Sequence, residues 1–314
     1  TNVAVLNMML YYIVKGNLLN KDFVENRTEG FDEFLNHING LDIDHLASVA
    51  GVDKQLVKEA AIAYATAKNS MEFHGLGVTE HEQGSKTVML IADLAMITGN
   101  IGRRGVGVNP LRGQNNVQGA ADMGCQPHQG AGYFPVADKK IQDFYTEKYG
   151  AIHPTKAGLK IPEIFDAAIN KEVKGLWIIG EDIVQTDPNS AHVIKAMESL
   201  DLLVVQEIFM SETAKLADVV LPGTTFLEKD GTFTNTERRV QRVNKAAEPL
   251  PGTKPDGVIV TEMMQKLGYD QPTYDADQVL AEVADVVPFF KGITRERLGK
   301  LGLQWPVKED GTDT

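Results

Sequence analysis

Residues 173–223 alternate short apolar segments with helical segments, and this alternation constrains the fold more than any other feature of the chain. The predicted strands and helices are, in order, 173–179, 190–200, 202–205, 211–216 and 218–221. Strands that alternate with helices at this spacing predict a parallel sheet with right-handed crossover connections. We therefore expect an α/β region in this part of the chain.

Polar and glycine residues follow each predicted strand of this region. Gly180 and Asp182 follow the first strand, Gln206 and Glu207 follow the second, and the third ends in residues 222–225 (PGTT). Because parallel sheets bind ligands outside the carboxyl ends of their strands, these residues are candidate ligand contacts. Acidic groups in such places accept hydrogen bonds from ribose hydroxyls or from a guanine edge. The alternative is helix capping or solvent exposure; we favour the ligand role for Asp182 and weigh the two equally for Glu207.

A similar strand–turn–helix unit is predicted closer to the start of the chain. Residues 70–79 have the composition of a short strand that ends in Gly75 and Gly77, and residues 84–98 have the spacing of a helix. This arrangement places backbone N–H groups at a ligand in many α/β proteins, although tight packing is the commoner reason for a Gly-x-Gly pair. We expect His74 to be a hydrogen-bonded strand residue rather than a metal ligand.

Residues 109–124 form a polar stretch that lacks helical or strand periodicity. The stretch contains one guanidinium, five side-chain amides and three glycines: Arg112, Asn109, Gln114, Asn115, Asn116, Gln118, Gly113, Gly119 and Gly124. Amides are multivalent hydrogen-bonding groups, and glycine allows a backbone to approach a ligand closely. Two interpretations have equal weight: a loop wrapped round a polar ligand with Arg112 holding an anion, or a hydrogen-bonded loop between domains.

The charge balance of the chain excludes some classes of partner. The 314 residues carry 31 Lys and Arg against 43 Asp and Glu, which gives a formal net charge of −12. A chain this acidic is not expected to bind nucleic acid or an anionic membrane surface. No apolar run reaches membrane-spanning length, because the longest candidate, residues 87–98, contains Asp93 and has the length of a packed helix.

The single cysteine and the first residue bear on redox chemistry and targeting. One thiol, Cys125, cannot form an internal disulfide or a cysteine-rich metal site, and we expect it to be a small, partly buried residue. No signal-peptide pattern is visible in the 314 residues. Because Thr1 already lies within a predicted helix, we expect the chain to be a piece of a longer protein. We expect a cytoplasmic location and leave the periplasm open.

Local signals predict several further elements. Helices are predicted over residues 3–15, 54–68, 139–149 and 257–267, and Asp53 and Asp256 are candidate N-caps for the second and the last of them. Residues 228–242 are predicted to form a β-hairpin that turns at Asp230 and Gly231. Residues 133–162 have no regular pattern apart from the predicted helix that they contain.

Together these elements predict an α/β fold. It consists of two Rossmann-like α/β domains with parallel sheets, a small β-hairpin segment and a helical C-terminal tail. We expect a first dinucleotide-binding region over residues 1–114 and a second over residues 115–226. The hairpin segment would then occupy residues 227–255, and the tail residues 256–314.

Seven segments, in this order along the chain, carry a resemblance to a known family. They are residues 75–79 (GLGVT), 94–100 (LAMITGN), 109–124 (NPLRGQNNVQGAADMG), 180–182 (GED), 204–209 (VVQEIF), 217–222 (ADVVLP) and 231–237 (GTFTNTE). With these segments the chain resembles the catalytic, or alpha, subunit of formate dehydrogenases over nearly its whole length. These molybdopterin oxidoreductases hold molybdenum or tungsten with two molybdopterin guanine dinucleotides. The amide-rich block at 109–124 is the most specific of the seven.

The resemblance implies roles for particular residues. Arg112 would lie beside the metal and orient formate, because a planar guanidinium matches a carboxylate. Contacts to the dinucleotides would come from Gln114, Gly77, Glu80, Gly180, Asp182, Thr186, Gln206, Glu207 and Asp256. The chain departs from the family pattern at two contacts, with glutamate instead of glutamine at position 80 and glycine instead of serine at position 223.

The resemblance also implies parts that this chain does not contain. The cysteines of a 4Fe-4S cluster and the cysteine or selenocysteine that binds the metal would lie upstream, and a cap domain would lie downstream. We therefore assign no metal ligand to this chain and expect the 314 residues alone to be inactive. The implied partners are formate or carbon dioxide, the missing N- and C-terminal parts of the same subunit, and electron-transfer subunits.

Three other interpretations stay open. A related subunit that kept the fold but lost the metal would act as a scaffold in a respiratory complex. A sibling molybdopterin oxidoreductase would act on another oxyanion. A simple nucleotide-binding module would explain both α/β regions, but it would not explain the amide-rich block.

Overall fold

The computed structural model describes residues 2–151 and 153–312. Within them the chain is a mixed α/β protein with parallel sheets, and it divides into two compact units, residues 1–113 and residues 114–314. Among the described residues, none of the helices combines the length and the apolar character needed to cross a membrane.

The first unit consists of helices and a two-stranded sheet. Its elements are α1 (Asn2–Lys15), α2 (Lys21–Arg27), α3 (Phe31–Asn39), α4 (Ile43–Ala50), α5 (Lys54–Thr66), β1 (Met71–His74), α6 (Leu76–Thr79), α7 (Gly84–Ile97) and β2 (Gly107–Pro110). The apolar helix α1 packs against α4, α5 and α7, and its Leu10 and Ile13 share a buried core with Ile38 and Leu94. Each such side chain contributes roughly 2 kcal/mol when it leaves water, so this core holds the unit together. The predicted N-cap role of Asp53 is confirmed, since its carboxylate accepts a hydrogen bond from Gln55 N at 2.8 Å.

The sheet of the first unit pairs β1 with β2 in parallel, with Met71 opposite Gly107. The sequence patterns do not predict β2, because a four-residue strand has too little length to show a period. The predicted strand over residues 70–79 is wrong beyond His74. The carbonyl oxygen of Gly75 accepts a hydrogen bond from Val78 N at 3.0 Å, which turns the chain into α6 and places Gly77 in that helix.

The second unit contains a parallel sheet, an antiparallel sheet and the helices packed round them. Its helices are α8 (Val117–Asp122), α9 (Lys139–Tyr149), α10 (Ile161–Ile169), α11 (Ile183–Thr186), α12 (Ser190–Glu198), α13 (Asp256–Lys266), α14 (Ala276–Val286) and α15 (Arg295–Leu298), with 3₁₀ turns at Ala131–Tyr133, Ala214–Leu216, Phe226–Glu228 and Pro288–Phe290. Its strands are β3 (Gly175–Ile179), β4 (Leu202–Glu207), β5 (Val219–Pro222), β6 (Gly231–Thr234), β7 (Arg239–Val243) and β8 (Leu303–Gln304). The prediction of α9 is confirmed, and Asp138 caps it by accepting a hydrogen bond from Lys140 N at 2.8 Å.

The parallel sheet predicted from the alternating pattern is confirmed, with the strand order β3–β4–β5. Ile179 lies opposite Gln206, and Gln206 lies opposite Leu221, so the three strands end at the same edge of the sheet. Val205 and Val193 are fully buried and belong to the core between the sheet and its helices. This packing fixes the positions of the polar residues that follow the strands.

The antiparallel sheet, with the order β6–β7–β8, corrects the predicted hairpin. The turn between β6 and β7 is at Asn235 rather than at Asp230 and Gly231, because Gly231 is already the first residue of β6. The side-chain oxygen of Asn235 accepts hydrogen bonds from Glu237 N (3.1 Å) and Arg239 N (3.0 Å), and these bonds close the turn. Strand β8 pairs with β7, so the predicted helical tail also supplies a strand.

Helix α8 holds the second unit together through a buried carboxylate. Asp122 is fully buried, and its carboxylate accepts hydrogen bonds from Gln118 Nε2 (3.0 Å), Tyr133 Oη (2.7 Å) and Trp305 Nε1 (3.0 Å). Hydrogen bonds to a buried charge stabilise more than neutral ones, and an unpaired buried carboxylate would be very costly. This cluster therefore connects α8 to the segment that follows β8.

The prediction that residues 109–124 lack regular structure is wrong at both ends of the stretch. Its first two residues belong to β2, and residues 117–122 form α8. The side-chain oxygen of Asn116 accepts a hydrogen bond from Thr234 N at 2.9 Å. Internal hydrogen bonding therefore accounts for Asn116 and Gln118, two of the five amides in the stretch.

Candidate functional site

The carboxyl ends of β3, β4 and β5 bring most of the predicted ligand residues of the second unit to one edge. We call this group the strand edge; it consists of Gly180, Asp182, Gln206, Glu207, Gly223, Thr224 and Asp256. Gly180 N donates to Gln206 O at 2.8 Å, and Gly223 N donates to Glu207 O at 3.1 Å. These backbone bonds continue the sheet beyond its regular strands and hold the polar side chains of the edge in place.

Two buried polar atoms at the strand edge lack a hydrogen-bond partner among the described residues. Gln206 is 1% exposed, and its Nε2 donates to Asp256 Oδ1 at 2.7 Å while its Oε1 receives no hydrogen bond. Thr224 is 3% exposed, and its Oγ1 is also without a partner. Because a buried unpaired polar group costs stability, such atoms are expected where a ligand supplies the missing partner. The edge is therefore prepared for a ligand with polar groups.

The structure corrects the predicted capping role of Asp256. Asp256 is the first residue of α13, Pro255 occupies the N-cap position, and no side chain caps the helix. The Asp256 carboxylate instead accepts hydrogen bonds from Gln206 and Lys229. A Cβ at position 223 would lie 2.9 Å from Asp256 Oδ1, so Gly223 leaves the room that this carboxylate occupies.

Lys229 is the residue of this site that the sequence patterns missed. Its Nζ donates to Asp256 Oδ2 and to the carbonyl oxygen of Thr224, the second at 3.1 Å. The Lys229 side chain is 27% exposed, and its ammonium group forms an ion pair with the Asp256 carboxylate. Lys229 and Asp256 are 27 positions apart, so no local pattern could have shown that they meet.

Asp182 lies at the strand edge, but its carboxylate is occupied by the chain itself. Its Oδ1 accepts hydrogen bonds from Thr213 N (2.9 Å) and Thr213 Oγ1 (2.6 Å). Its Oδ2 accepts them from Gln185 Nε2 (2.5 Å) and Glu212 N (3.3 Å). Burial alone would raise the pKa of Asp182, but the hydrogen bonds from Thr213, Gln185 and Glu212 together outweigh it and hold that pKa below the ordinary 3.8. Asp182 therefore holds the loop after β4 against the end of β3.

Replacing Asp182 with asparagine should lower the free energy of unfolding by about 1 kcal/mol at neutral pH. An amide nitrogen takes the place of one acceptor oxygen, and solvent screening keeps the loss of the negative charge from costing more. The pKa of Asp182 is depressed in the folded protein, so its contribution is complete above the unfolded pKa and is lost as the pH falls through the folded value. Denaturation at several pH values should show the two proteins converging in acid. Asp187→Asn, at the C-cap of α11, is the control; an equal loss in both variants at every pH would contradict the assignment.

The other predicted contacts of the second unit are accessible. Glu207 Oε1 accepts a hydrogen bond from Ile208 N at 2.7 Å. Thr186 ends α11 and is exposed, and its hydroxyl donates to Glu181 Oε1 at 3.3 Å. Gly180 has φ = +67°, a conformation that favours glycine, and open space lies where a Cβ would stand. These three positions are free to approach a ligand from the solvent side.

In the first unit, Gly77 and Glu80 lie in and just after the one-turn helix α6. Glu80 is the C-cap residue, and its N–H donates to Leu76 O at 2.9 Å. A Cβ at Gly77 would meet no atom within 4 Å, and the carbonyl of Gly77 is 2.9 Å from His81 Nε2. Both predicted contacts are exposed, so they are available to a ligand.

Arg112 follows β2 and is exposed, and its charge acts on a neighbouring buried histidine. Burial and the nearby Arg112 guanidinium together lower the pKa of His74. His74 is 7% exposed, and among the described residues its Nδ1 has no hydrogen-bond partner. The expectation of a fully hydrogen-bonded strand histidine is therefore wrong at this nitrogen. A neutral His74 leaves Arg112 as the positive group at the end of this parallel strand pair.

Gln114 is the first residue of the second unit and is exposed, and the division between the units falls between Gly113 and Gln114. Cys125 is exposed, which corrects the expectation of a partly buried thiol. In the described part of the chain, no group of three or more His, Cys, Asp or Glu side chains has the arrangement of a metal site.

A protein-family model matches most of the chain. The model described as molybdopterin oxidoreductase matches residues 1–266. Among solved structures, acetylene hydratase from Pelobacter acetylenicus is similar in fold, with a TM-score of 0.69 and 19% sequence identity over 94% of this chain and 43% of that one. At this level of identity the likeness concerns the fold alone.

Curated relatives share much more sequence with this chain. The F420-dependent formate dehydrogenase subunit alpha of Methanocaldococcus jannaschii is 45% identical over 314 residues, which are 99% of this chain and 46% of the relative. Formate dehydrogenase H of Escherichia coli is 40% identical over 311 residues, 98% of this chain and 44% of the relative. The chain thus spans a little less than half the length of these relatives.

Proposed function

The chain belongs to the molybdopterin oxidoreductase family, and from this premise we propose that it is the central part of a formate dehydrogenase catalytic subunit. The reaction would convert formate to carbon dioxide, or the reverse. The observation that carries the substrate assignment is the exposed guanidinium of Arg112 at the end of β2, in a chain similar to formate dehydrogenase alpha subunits. A guanidinium fork holds a small carboxylate through two parallel charge-assisted hydrogen bonds.

The cofactor in this proposal is a pair of molybdopterin guanine dinucleotides that hold molybdenum or tungsten. The strand edge fits one guanosine end, because Gln206 Oε1 and Thr224 Oγ1 are buried without partners and the Asp256 carboxylate is 36% exposed. A guanine edge offers N–H groups that such oxygens accept. Glu207, Thr186 and Gly180 would complete this subsite.

Gly77 and Glu80 of the first unit would contact a dinucleotide. Gln114, the first residue of the second unit, is likewise proposed as a pterin dinucleotide contact. The metal–pterin group supplies the two-electron chemistry when it is bound. The chain's own contribution is to bind the cofactor and, through Arg112, to hold formate in one orientation. Asp182 would act indirectly, since its carboxylate holds the loop at Glu212 and Thr213.

The active form in this proposal extends beyond these 314 residues. In this proposal a 4Fe-4S cluster, the cysteine or selenocysteine ligand of the metal, and a cap domain would come from residues other than these 314. Electron-transfer subunits would accept the two electrons. We expect the 314 residues alone, after reconstitution with cofactor, to show no formate turnover.

Two alternatives make different predictions. A scaffold subunit without metal would have no reason to keep unpaired buried polar atoms at Gln206 and Thr224, because these atoms cost stability without a ligand. A sibling oxidoreductase would use Arg112 for another oxyanion. The test is formate-dependent reduction of a viologen dye by the complete, cofactor-loaded subunit, with metal content measured on the same sample. Metal without formate turnover would favour the sibling, and absence of metal would favour the scaffold.

A further inference from the structure

The Asp256 carboxylate is held from two sides by groups that come from different elements. Gln206 Nε2, from β4, donates to Oδ1 at 2.7 Å, and Lys229 Nζ, from the segment before β6, donates to Oδ2. Lys229 is itself anchored by the carbonyl oxygen of Thr224, 3.1 Å from Nζ. The carboxylate therefore cannot rotate without disturbing both donors.

The arrangement leaves acceptor capacity on the open side of the carboxylate. Each carboxylate oxygen can accept about two hydrogen bonds, so Asp256 keeps a lone pair on each oxygen after Gln206 and Lys229 have donated. The Asp256 side chain is 36% exposed, and the unpaired Oε1 of Gln206 belongs to the same group of side chains. A planar group with two adjacent N–H donors would satisfy both free lone pairs at once.

We propose that Lys229 is a positioning residue for guanosine recognition, because it fixes the Asp256 carboxylate for two N–H donors of the base. The inference rests on the proposed function, which puts a guanosine end at the strand edge. It adds a residue that does not itself contact the ligand. Guanine offers two adjacent donors, N1–H and the exocyclic amine, whereas hypoxanthine lacks the amine. Lys229 should therefore control the preference of the site for guanine over hypoxanthine.

A second lysine–carboxylate pair of the same helix provides a matched control. Lys254 forms an ion pair with Glu262 of α13, and both side chains are substantially exposed. Neither residue contacts Gln206 or Asp256 through the hydrogen bonds described above. Removing the Lys254 charge therefore perturbs the local charge of α13 by the same amount without releasing the Asp256 carboxylate.

The experiment measures binding of guanosine diphosphate and inosine diphosphate by calorimetry to the cofactor-free full chain. The proteins are the natural one and the variants Lys229→Met, Lys229→Arg and Lys254→Met. The natural protein should prefer guanosine diphosphate. Lys229→Met should lose about tenfold in affinity for guanosine diphosphate and most of the preference, because one charge-assisted hydrogen bond that orients Asp256 is gone. Lys229→Arg should recover much of both, and Lys254→Met should bind as the natural protein does.

The outcomes separate this inference from the proposed function. If the natural protein prefers guanosine diphosphate and Lys229→Met keeps that preference, the positioning role is wrong while the guanosine site stands. If Lys229→Met and Lys254→Met lose affinity equally, the effect is one of general charge and the inference is again overturned. If the natural protein binds neither nucleotide, the guanosine site at the strand edge fails together with the role of Lys229.

Discussion

Replacing Arg112 with lysine should lower formate turnover by about 100-fold in the cofactor-loaded subunit, because lysine keeps the charge but loses the planar two-donor fork. The bound metal and guanosine should remain at the level of the natural protein. A point charge still attracts a carboxylate, but it does not fix the orientation of the C–H bond that must break. Most of the loss should therefore appear in kcat, and the KM for formate should change less.

The matched control for this substitution is Arg104→Lys. Arg104 is an exposed arginine of the same unit, in the segment that leads into β2. It should leave both turnover and cofactor content unchanged. If Arg112→Lys loses cofactor and turnover in equal proportion, Arg112 serves the cofactor or the fold, and the formate assignment is wrong.

The second large effect is expected at Asp122, where a substitution should act on stability. Asp122→Ala would remove the buried carboxylate that accepts hydrogen bonds from Gln118, Tyr133 and Trp305. Each unsatisfied buried group costs about 1–3 kcal/mol, so the free energy of unfolding should fall by roughly 3 kcal/mol or more. Thermal denaturation should show a correspondingly lower midpoint for the variant.

Asp143→Ala serves as the control for the Asp122 substitution. Asp143 is 63% exposed and pairs with Lys139 on the surface of α9, and such pairs contribute at most about 1 kcal/mol. Asp143→Ala should have a thermal midpoint close to that of the natural protein. If the midpoint of Asp122→Ala is equally close, the hydrogen-bond cluster at Asp122 does not stabilise the unit.

Local signals in the sequence were sufficient for the longer elements. Helices α1, α5 and α9 have clear apolar spacing, and two of them begin after aspartates that cap them in the structure. Local signals gave the wrong position for the hairpin turn, because the pair Asp230-Gly231 and the residue Asn235 both favour turns. The register of β6 and β7 places the turn at Asn235, and this register depends on both strands, so no single segment of the sequence predicts it. Strand β2 was missed for the same reason, because it is a strand only through β1.

The site shows the same division between local and distant information. The polar residues after the strands could be predicted, because the end of each strand is visible in the sequence. The hydrogen-bond partners of these side chains could not be predicted, because they lie far away in the sequence. Asp182 binds Thr213, 31 positions away, and Gln206 binds Asp256, 50 positions away. A carboxylate already saturated by the chain and one that is still open look alike in the sequence. The sequence therefore does not distinguish Asp182, whose carboxylate accepts four hydrogen bonds from the chain, from Asp256, whose carboxylate accepts two.

The most direct measurement is formate-dependent viologen reduction by the complete subunit, on a sample whose metal and guanosine contents are known. The proposed function predicts one molybdenum or tungsten and two guanosine nucleotides per chain, with turnover that depends on formate and yields carbon dioxide. A protein that contains neither metal nor guanosine, or one that contains both and leaves formate unoxidised, would contradict it.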